Sequence, residues 1–353
     1  MLSLVGCQTP RLVLDAPDRD PALFHEAPDL APEADEVTFA AVGDAGYVGP
    51  ARATVAASIR RVCEGVCDFV IHLGDNLYPA GVADDADADR LRCILDSYGS
   101  TPTYAILGNH DYGALVPTLE RARAELQLLS ELPRATGGHF FRFDAGPTRL
   151  VALDTNLLVR GRPTAAGYDA LTRWLRGARS PSLPWSVAFG HHPVVSNGSH
   201  RSAGGYRDIG LELWKGQFLS HVLRTHVLPR VDLYLSGHEH NLQMLVASPS
   251  TLQVVSGSAS KCNSPPRQRP QPALLERYGY GFALIHATRE RLEVTIHDAW
   301  GEPIFGAHRE RGAASWESDP PVRSGHDGCG EELGRMATVV DPCSERFRDV
   351  AQP

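Results

Sequence analysis

The 353-residue sequence has no apolar run that approaches the roughly 20 residues needed to span a bilayer. It also has no block rich in lysine and arginine, and its formal net charge is -8 at pH 7. Such a chain has little with which to replace counterions along a nucleic-acid backbone, so we expect no nucleic-acid binding surface. No internal repeat is visible. The composition, 42% hydrophobic and 22% charged, is that of a globular enzyme, and the length suffices for a sizeable core.

The amino terminus carries a short sequence that resembles a bacterial lipobox. Leu4, Val5 and Gly6 precede Cys7, the residue that would be lipidated. Six residues are too few for a charged n-region and an apolar h-region, so either the sequence starts inside a longer signal or the match is a coincidence. The acidic, proline-rich run that follows predicts a disordered spacer up to residue 35. We therefore expect a secreted, periplasmic or membrane-anchored bacterial lipoprotein, whose only membrane contact would be a lipid anchor at Cys7.

The sequence has seven cysteines and no CxxC pair. Cys329 and Cys343 lie in the carboxyl-terminal segment and could form a disulfide there. Either Cys63 or Cys67 could pair with Cys93. Both pairings would suit an oxidising compartment, whereas free buried thiols are the alternative.

Apolar runs with strand character alternate with helical patterns in the first half of the chain, and the later part is mostly β. This order predicts an α/β fold with four layers, α-β-β-α, in which two mixed sheets pack face to face between helices. We expect residues 36–308 to form the catalytic domain. Residues 1–35 would be the truncated signal and spacer, and residues 309–353 an irregular tail that a disulfide could hold.

Five of the predicted strands end in the same way, with an apolar run, a glycine and then an aspartate, asparagine or histidine. Glycine lets the chain turn sharply where a strand stops. Polar side chains at the carboxyl ends of strands converge at one edge of a sheet, where α/β folds build their sites. The five pairs are Gly43-Asp44, Gly74-Asp75, Gly108-Asn109, Gly190-His191 and Gly237-His238.

The order of these motifs resembles the metallophosphoesterase superfamily, and within it the purple acid phosphatases of the tartrate-resistant type. The motifs read GDAG, GDNLY, GNHD, GHHP and GHEHN, and the resemblance runs from about residue 39 to residue 300. It implies a hydrolase that binds two metal ions at the carboxyl ends of the strands. The departures are Ala45, where tryptophan is usual, and Glu239, where aspartate is commoner.

Two positions favour the purple acid phosphatases over the wider superfamily. Other members begin their first motif with Asp-x-His, and here Gly46 occupies the histidine position. The resemblance implies that Tyr78 supplies the missing ligand as a phenolate bound to Fe(III). Hard, highly charged ions favour anionic oxygen ligands, whereas a divalent neighbour accepts imidazole and amide oxygen.

The resemblance also implies the complete ligand set. Metal 1, Fe(III), would be held by Asp44, Tyr78 and His240, and metal 2, which is Fe(II), Zn or Mn, by Asn109, His191 and His238. Asp75 would bridge them. A trivalent and a divalent ion carry +5 against three anionic ligands, and this leaves about +2 to attract a phosphate dianion and to lower the pKa of a bound water.

Three further residues are candidates for direct roles in catalysis. By the resemblance, His110 would contact the phosphate and be backed by Asp111. His200 would be the general acid that protonates the leaving alkoxide. The alternative for His200 is a solvated surface histidine, because it lies in a Ser/Gly-rich loop.

These features favour hydrolysis of phosphomonoesters by a metal-bound hydroxide, with a small molecule or a phosphoprotein as substrate. A Mn or Zn enzyme acting on phosphodiesters or nucleotides is the alternative on the same fold. A non-catalytic binding protein on a degenerate scaffold is the third hypothesis, which the presence of all seven ligand residues disfavours. The sequence does not determine the oligomeric state.

Overall fold

The apolar runs form two mixed β-sheets in the computed structural model, which describes residues 23–113, 117–160, 163–206, 216–320, 322–323 and 328–345. In chain order the strands are β1 (Phe24–Glu26), β2 (Glu36–Val42), β3 (Phe69–His72), β4 (Thr103–Ala105), β5 (Ala135–Gly137), β6 (Phe140–Ala145), β7 (Thr148–Leu153), β8 (Trp185–Gly190), β9 (Leu233–Ser236), β10 (Leu242–Ser248), β11 (Thr251–Ser256), β12 (Ala273–Arg277), β13 (Gly281–Thr288), β14 (Arg291–Asp298), β15 (Pro303–Glu310), β16 (Glu317–Ser318) and β17 (Val322–Arg323).

The helices follow local signals in the sequence. Proline occupies the first turn of the first helix, where it costs no hydrogen bond. Asp84, Thr118 and Thr164 cap the next three long helices through their side-chain oxygens. The helices are α1 (Pro50–Cys63), α2 (Asp85–Asp96), α3 (Leu119–Glu131), α4 (Thr155–Arg160), α5 (Ala165–Leu175), α6 (Gln217–Val222), α7 (Cys329–Arg335) and α8 (Pro342–Glu345).

The two sheets pack face to face, and the predicted four-layer α/β sandwich is confirmed. One sheet has the order β16-β15-β14-β13-β2-β3-β4-β5, and the other has the order β1-β6-β7-β8-β9-β11-β10-β12-β17. Their inner faces share an apolar core that includes Phe39, Phe69 and Phe141. Separate clusters pack α1, α2 and α3 on the first sheet and α4, α5 and α6 on the second.

The strand directions bring the motif-bearing ends together. Strands β2, β3 and β4 run parallel in one sheet, and β8 and β9 run parallel in the other. At the edge where they end, the backbone of Gly43 donates to the carbonyl of Ser256, the last residue of β11. The turns after these strands therefore face one another across the gap between the sheets.

The segment before β2 differs from the predicted disordered spacer. Strand β1 pairs in parallel with β6, and the ring of Phe24 stacks on Phe140 at 5.1 Å between centroids. Leu23 and Ala27 are buried beside it. The prediction of disorder is therefore wrong for residues 23–35. These two side chains are buried because the segment packs on the edge of the sheet, next to β6. Residues 1–22, including Cys7, lie outside the described residues, and no described helix is long and apolar enough to cross a membrane.

The carboxyl-terminal segment also differs from the predicted irregular tail. Strand β15 continues to Glu310, and α8 packs on α2. The buried guanidinium of Arg52 in α1 binds the buried carboxylate of Asp341, which also accepts from the backbone of Gly49 at 2.8 Å. Met336 is fully buried. These elements are short and polar, so the sequence shows no hydrophobic periodicity that would predict them. Their burial depends on contacts with distant parts of the chain.

The predicted disulfides are wrong in their pairing. The observed bonds are Cys63–Cys67, Cys93–Cys343 and Cys262–Cys329. Cys63 and Cys67 face each other across the end of α1, with 4.6 Å between their Cα atoms. The other two bonds hold the tail to the body of the protein, because α7 and α8 lie against regions that are 67 and 250 residues away in sequence. The prediction of a Cys329–Cys343 bond failed because it paired two cysteines that are close in the sequence, whereas each is bonded to a cysteine outside the tail.

Candidate metal centre

Three of the residues predicted to bind metal have an unusual backbone. Asp44, Asp75 and His238 each have a positive φ, of 57°, 53° and 68°. A residue other than glycine in this left-handed region costs roughly 1–3 kcal/mol and persists where the surroundings hold it. Each is the first polar residue after a strand and its glycine. The turns thus keep these side chains pointed into one space at the expense of backbone stability.

The glycines before them allow the turns to touch. A Cβ atom on Gly74 would lie 2.6 Å from the backbone nitrogen of Gly108 and 2.8 Å from Nδ1 of His191. A Cβ on Gly108 would lie 2.2 Å from the backbone nitrogen of Asp75. Any side chain at either position would separate the loops. This close approach is the physical reason for the repeated glycine in the motifs.

One group of donor atoms consists of Asp44, Tyr78 and His240. The hydroxyl of Tyr78 lies 3.1 Å from Oδ1 of Asp44 and 3.4 Å from Nε2 of His240. The same carboxylate oxygen lies 3.3 Å from Nε2 of His240. These three atoms, from the turns after β2, β3 and β9, form a triangle whose sides are close to the spacing of ligands around a single ion.

A second group consists of Asn109, His191 and His238. The side-chain oxygen of Asn109 lies 3.1 Å from Nε2 of His191 and 3.0 Å from Nδ1 of His238. The two ring nitrogens are 3.3 Å apart. This group is neutral, unlike the first, which contains a carboxylate and a phenol.

Asp75 lies between the two groups. Its Oδ2 accepts from the hydroxyl of Tyr78 at 2.8 Å, and its Oδ1 is 3.5 Å from Nε2 of His191. Burial alone would raise the pKa of this carboxyl, but the neighbouring imidazoles, led by His191 and His110, hold it well below its usual range. Asp75 is therefore ionised and faces both groups with one oxygen each.

The chemistry of the donors fits a cation. Nδ1 of His191 lies 2.8 Å from the carbonyl oxygen of Leu73, which can only accept, so Nδ1 carries a proton and Nε2 is the nitrogen that faces the centre. Nε2 lies beside the oxygens of Asn109 and Asp75. Carboxylate oxygen, amide oxygen and imidazole nitrogen that converge in this way are the ligand types that metal ions take. Asp44, Asp75 and His191 offer ligand atoms that all lie within 4.8 Å of one another.

Tyr78 is a protonated phenol in the protein without metal. Burial, followed by the charges of Asp44 and Asp75, raises its pKa well above the usual value. Its hydroxyl accordingly donates to both carboxylates. Only a strongly charged ion would displace this proton, since a coordinating metal inverts the local preference for the neutral form.

His110 lies at the edge of the centre, with its side chain 26% exposed. Its backbone donates to Asp75, and its Nδ1 donates to the carbonyl oxygen of Pro79 at 2.5 Å. Nε2 is 4.0 Å from Asp75 and stands beside the ring of Tyr78, with 4.4 Å between ring centroids. The imidazole is thus fixed on the solvent side of the donor groups.

Asp111 does not have the position expected of a catalytic group, and it does not support His110. Its carboxylate is fully buried and accepts three backbone N–H groups, from Asn76, Leu77 and Gly108. These bonds tie the turn after β3 to the turn after β4. The prediction of a catalytic Asp111 is therefore wrong, because the side chain turns away from the centre and holds its loops.

His200 is held beside the second donor group by Glu239. Its backbone donates to Oε2 of Glu239 at 3.1 Å, and its Nδ1 lies 3.3 Å from the same oxygen. Its ring is 4.7 Å from that of His238, and its side chain is 29% exposed. Burial alone would raise the pKa of Glu239, but the hydrogen bond and charge of His200 lower it overall. The solvated surface alternative therefore gives way to a histidine fixed at the mouth of the centre.

Sequence reasoning missed Lys261, which lies over the face of the Tyr78 ring with Nζ 3.5 Å from its centroid. It lies five residues after Ser256, the last residue of β11, at the same edge; a glycine follows this strand too, but Ser258 occupies the position of the Asp, Asn or His in the five motifs. That glycine was the available signal. The contact of Glu239 with His200 was not predicted either, since the sequence marked Glu239 only as a departure from the commoner aspartate.

Comparisons with known proteins agree with this geometry. The calcineurin-like phosphoesterase family model matches residues 37–242. Purple acid phosphatase 17 of Arabidopsis thaliana is 29% identical over 297 residues, which cover 75% of this chain and 82% of the relative. Tartrate-resistant acid phosphatase type 5 of Sus scrofa is 26% identical over 313 residues, with coverage of 78% and 88%.

Solved structures share the fold at lower identity. The protein described as GAP50, the anchor in the inner membrane complex of Plasmodium, has a TM-score of 0.62 at 18% identity and covers 79% of this chain and 90% of its own. PhoD has a TM-score of 0.54 at 14% identity, with coverage of 85% and 74%. At these identities the likeness concerns the fold alone.

Proposed function

Since the chain belongs to the calcineurin-like phosphoesterase family, a family of binuclear metal-dependent phosphoric ester hydrolases, we propose that it is a phosphatase that acts on phosphomonoesters. The observation that carries the proposal is the pair of donor groups that share the carboxylate of Asp75. The purple acid phosphatase relatives support the same activity. The complete set of donors speaks against a scaffold that only binds.

The asymmetry of the two groups supports two different ions. The group of Asp44, Tyr78 and His240 offers anionic oxygen and suits Fe(III), whereas the neutral group suits Fe(II), Zn or Mn. When bound, the two ions would supply charge to the phosphate and lower the pKa of the attacking water. The protein's part is to hold the donors, which it does through the strained turns of Asp44, Asp75 and His238.

The two histidines at the mouth have complementary tasks. His110 has its Nδ1 engaged by Pro79, so Nε2 is directed to the space that a phosphate oxygen would occupy. His200 has Nδ1 beside the carboxylate of Glu239, which leaves Nε2 as the ring nitrogen that can face the substrate. A proton on Nε2 of His200 can then pass to the leaving alkoxide. Asp111 orients the loops and takes no part in proton transfer.

The test is the visible spectrum of protein purified with iron available, together with hydrolysis of matched monoesters and diesters. We expect a violet charge-transfer band that Tyr78→Phe abolishes. The control is Tyr98→Phe, since Tyr98 is buried against His72 and lies outside both donor groups. A colourless, active protein with two equivalents of Zn or Mn would contradict the iron assignment. A preference for diesters or nucleotides would contradict the substrate class.

We propose in addition an oxidising compartment, in keeping with a secreted, periplasmic or membrane-anchored lipoprotein. The three disulfides among the described residues support it. Thiol titration of denatured protein, taken from cells with thiols blocked at lysis, should find six cysteines oxidised. Six free thiols would contradict the proposal.

A further inference from the structure

A cavity of about 390 Å³ opens beside the metal centre and is not accounted for by the donor groups. His240 forms part of its wall, so the cavity is continuous with the first group. Its volume lies in the range of small-molecule sites. The other side chains that matter here are Tyr47, Ser260, Lys261, Asn263 and Leu333.

The base of this cavity is polar and carries one positive charge. Nζ of Lys261 rests on the face of the Tyr78 ring, a cation–π contact. Among the residues that the structure describes, no carboxylate forms an ion pair with Lys261. The negative charges that act on it are those of Asp44 and Asp75, which two bound metal ions would neutralise. With the metals in place, the anionic oxygens near this ammonium group would all be engaged by the ions, the phenolate of Tyr78 included.

The rim of the cavity is apolar. Tyr47 is 45% exposed and Leu333 is 44% exposed, both high for such side chains. Leu333 belongs to α7, which the disulfide from Cys329 to Cys262 holds in place next to Lys261. The wall is thus built on a covalently fixed element. An apolar rim above a cationic base suits a ligand that is itself apolar at one end and anionic at the other.

We propose that this cavity binds the organic part of the phosphoric ester and that Lys261 selects substrates whose leaving group carries an anionic substituent. The proposal rests on the proposed phosphatase function. The phosphate would lie on the donor groups, and an aromatic or apolar leaving group would extend past His240 between Tyr47 and Leu333. Its carboxylate or second phosphate would then meet Lys261 and replace Tyr78 as the main partner of the ammonium group.

A matched pair of substrates tests the selection. The pair is 4-carboxyphenyl phosphate and 4-carbamoylphenyl phosphate, which differ in charge and hardly in shape. We expect the wild-type protein to favour the carboxylate by about tenfold in kcat/KM, the scale of one half-buried ion pair. Lys261→Met should bring the ratio close to one, and Lys261→Arg should restore most of it. A nucleoside diphosphate compared with its monophosphate distinguishes a second phosphate from a carboxylate as the preferred group.

Chemical labelling gives a readout that does not depend on turnover. The sequence has two lysines, Lys215 and Lys261, so the acetylation of each by N-acetoxysuccinimide can be followed by mass spectrometry. We expect 4-carboxybenzylphosphonate to slow acetylation of Lys261 in the metal-loaded protein at least fivefold more than 4-carbamoylbenzylphosphonate does. Lys215 is the internal reference, whose rate should be the same with both probes.

The outcomes separate this inference from the proposed function. If the protein hydrolyses both phosphates at equal rates and both probes protect Lys261 equally, the subsite is wrong and the phosphatase function stands. If neither ester is hydrolysed by the metal-loaded protein, the proposed function is wrong and the subsite falls with it. A preference that survives in Lys261→Met would show that another cation provides it and would overturn the assignment.

Discussion

Replacement of Asp111 by asparagine tests whether this residue positions the centre or takes part in the chemistry. Its Oδ1 accepts from the backbone of Asn76 at 2.9 Å and of Leu77 at 3.1 Å, and its Oδ2 accepts from Gly108 at 2.7 Å. The amide of asparagine keeps Oδ1 as an acceptor for Asn76 and Leu77. Its NH₂ group replaces Oδ2 and would face the backbone N–H of Gly108, which is also a donor. The substitution thus removes one bond outright and weakens the other two.

The expected loss of stability follows from these three bonds. A hydrogen bond to a charged group contributes about 1.5–3 kcal/mol, and a buried donor left unpaired costs about 1–3 kcal/mol. We expect Asp111→Asn to lower the free energy of unfolding by about 3 kcal/mol. Because the turns that carry Asp75 and Asn109 would loosen, the affinity for metal should fall by about 10–100-fold, as for other residues that support ligands.

Kinetics at saturating metal separate the two roles. If Asp111 only positions the loops, excess metal should restore kcat to within about tenfold of wild type, whereas the loss of a general acid or base costs about 10²–10⁴-fold. Urea unfolding and metal titration by calorimetry give the other two quantities. A variant with wild-type stability and metal affinity but a kcat reduced a thousandfold would refute the reasoning.

Glu125 provides the matched control, because it is the buried partner of Asp111. Burial and the neighbouring carboxyl raise the pKa of Asp111, and burial raises that of Glu125 to about 8. The three backbone donors favour the charge on Asp111, so the proton resides on Glu125. In Glu125→Gln an amide N–H can donate to Asp111 in place of the carboxyl proton and still accept from Asn76, so we expect the variant to be at least as stable as wild type near neutral pH.

The pair of Asp111 and Glu125 also determines whether the free energy of unfolding rises or falls with pH. The pKa of Glu125 is 4.5 when unperturbed and about 8 in the folded protein. Below pH 4.5 both states hold the proton, and this group costs nothing. Between pH 4.5 and 8 the unfolded chain releases it first, so stability falls by at most about 1.4 kcal/mol per pH unit. Unfolding curves of Glu125→Gln should lack this contribution, and an unchanged slope would contradict the assignment of the proton.

Three further predictions concern single substitutions, the first of which has a control variant. Arg52→Met should cost about 3–5 kcal/mol in urea unfolding, because Asp341 would be left as a buried, unpaired charge, whereas Arg311→Met at an exposed pair should cost less than about 1 kcal/mol. Cys329→Ser should cost about 3–4 kcal/mol, because its disulfide closes a long loop; a loss below 1 kcal/mol would mean that α7 is held without it. His200→Gln should lower kcat about 10²–10⁴-fold for phenyl phosphate and much less for 4-nitrophenyl phosphate, and equal losses would contradict a general acid.

The sequence was informative where function requires a local pattern. A strand, a glycine and a polar residue occupy three or four consecutive positions, so the turns at Asp44, Asp75 and His238 could be recognised without knowledge of the fold. The alternation of strands and helices likewise predicted the layers. The family resemblance then supplied the assignment of donors to two ions, which the residues alone do not give.

What could not be predicted depends on contacts between distant residues. Asp341 lies in a polar stretch with no periodicity, and its burial follows from Arg52, nearly 300 positions earlier in the chain. The pairing of Cys343 with Cys93 has the same origin. Asp111 was misjudged because its place in the GNHD motif shows that it is near the centre and does not show which way its side chain points.

Helices α7 and α8 follow both sheets in the chain, so they are synthesised after them. When residue 328 has been made, both sheets and all seven donor residues exist, yet Arg52 has no counter-charge and the cavity has no wall at Leu333. Only the final segment, once oxidised at Cys93 and Cys262, completes both. Removal of residues 329–345 would take away Leu333 and leave all seven donor residues, so by the proposed subsite it should change which esters are hydrolysed more than the affinity for metal.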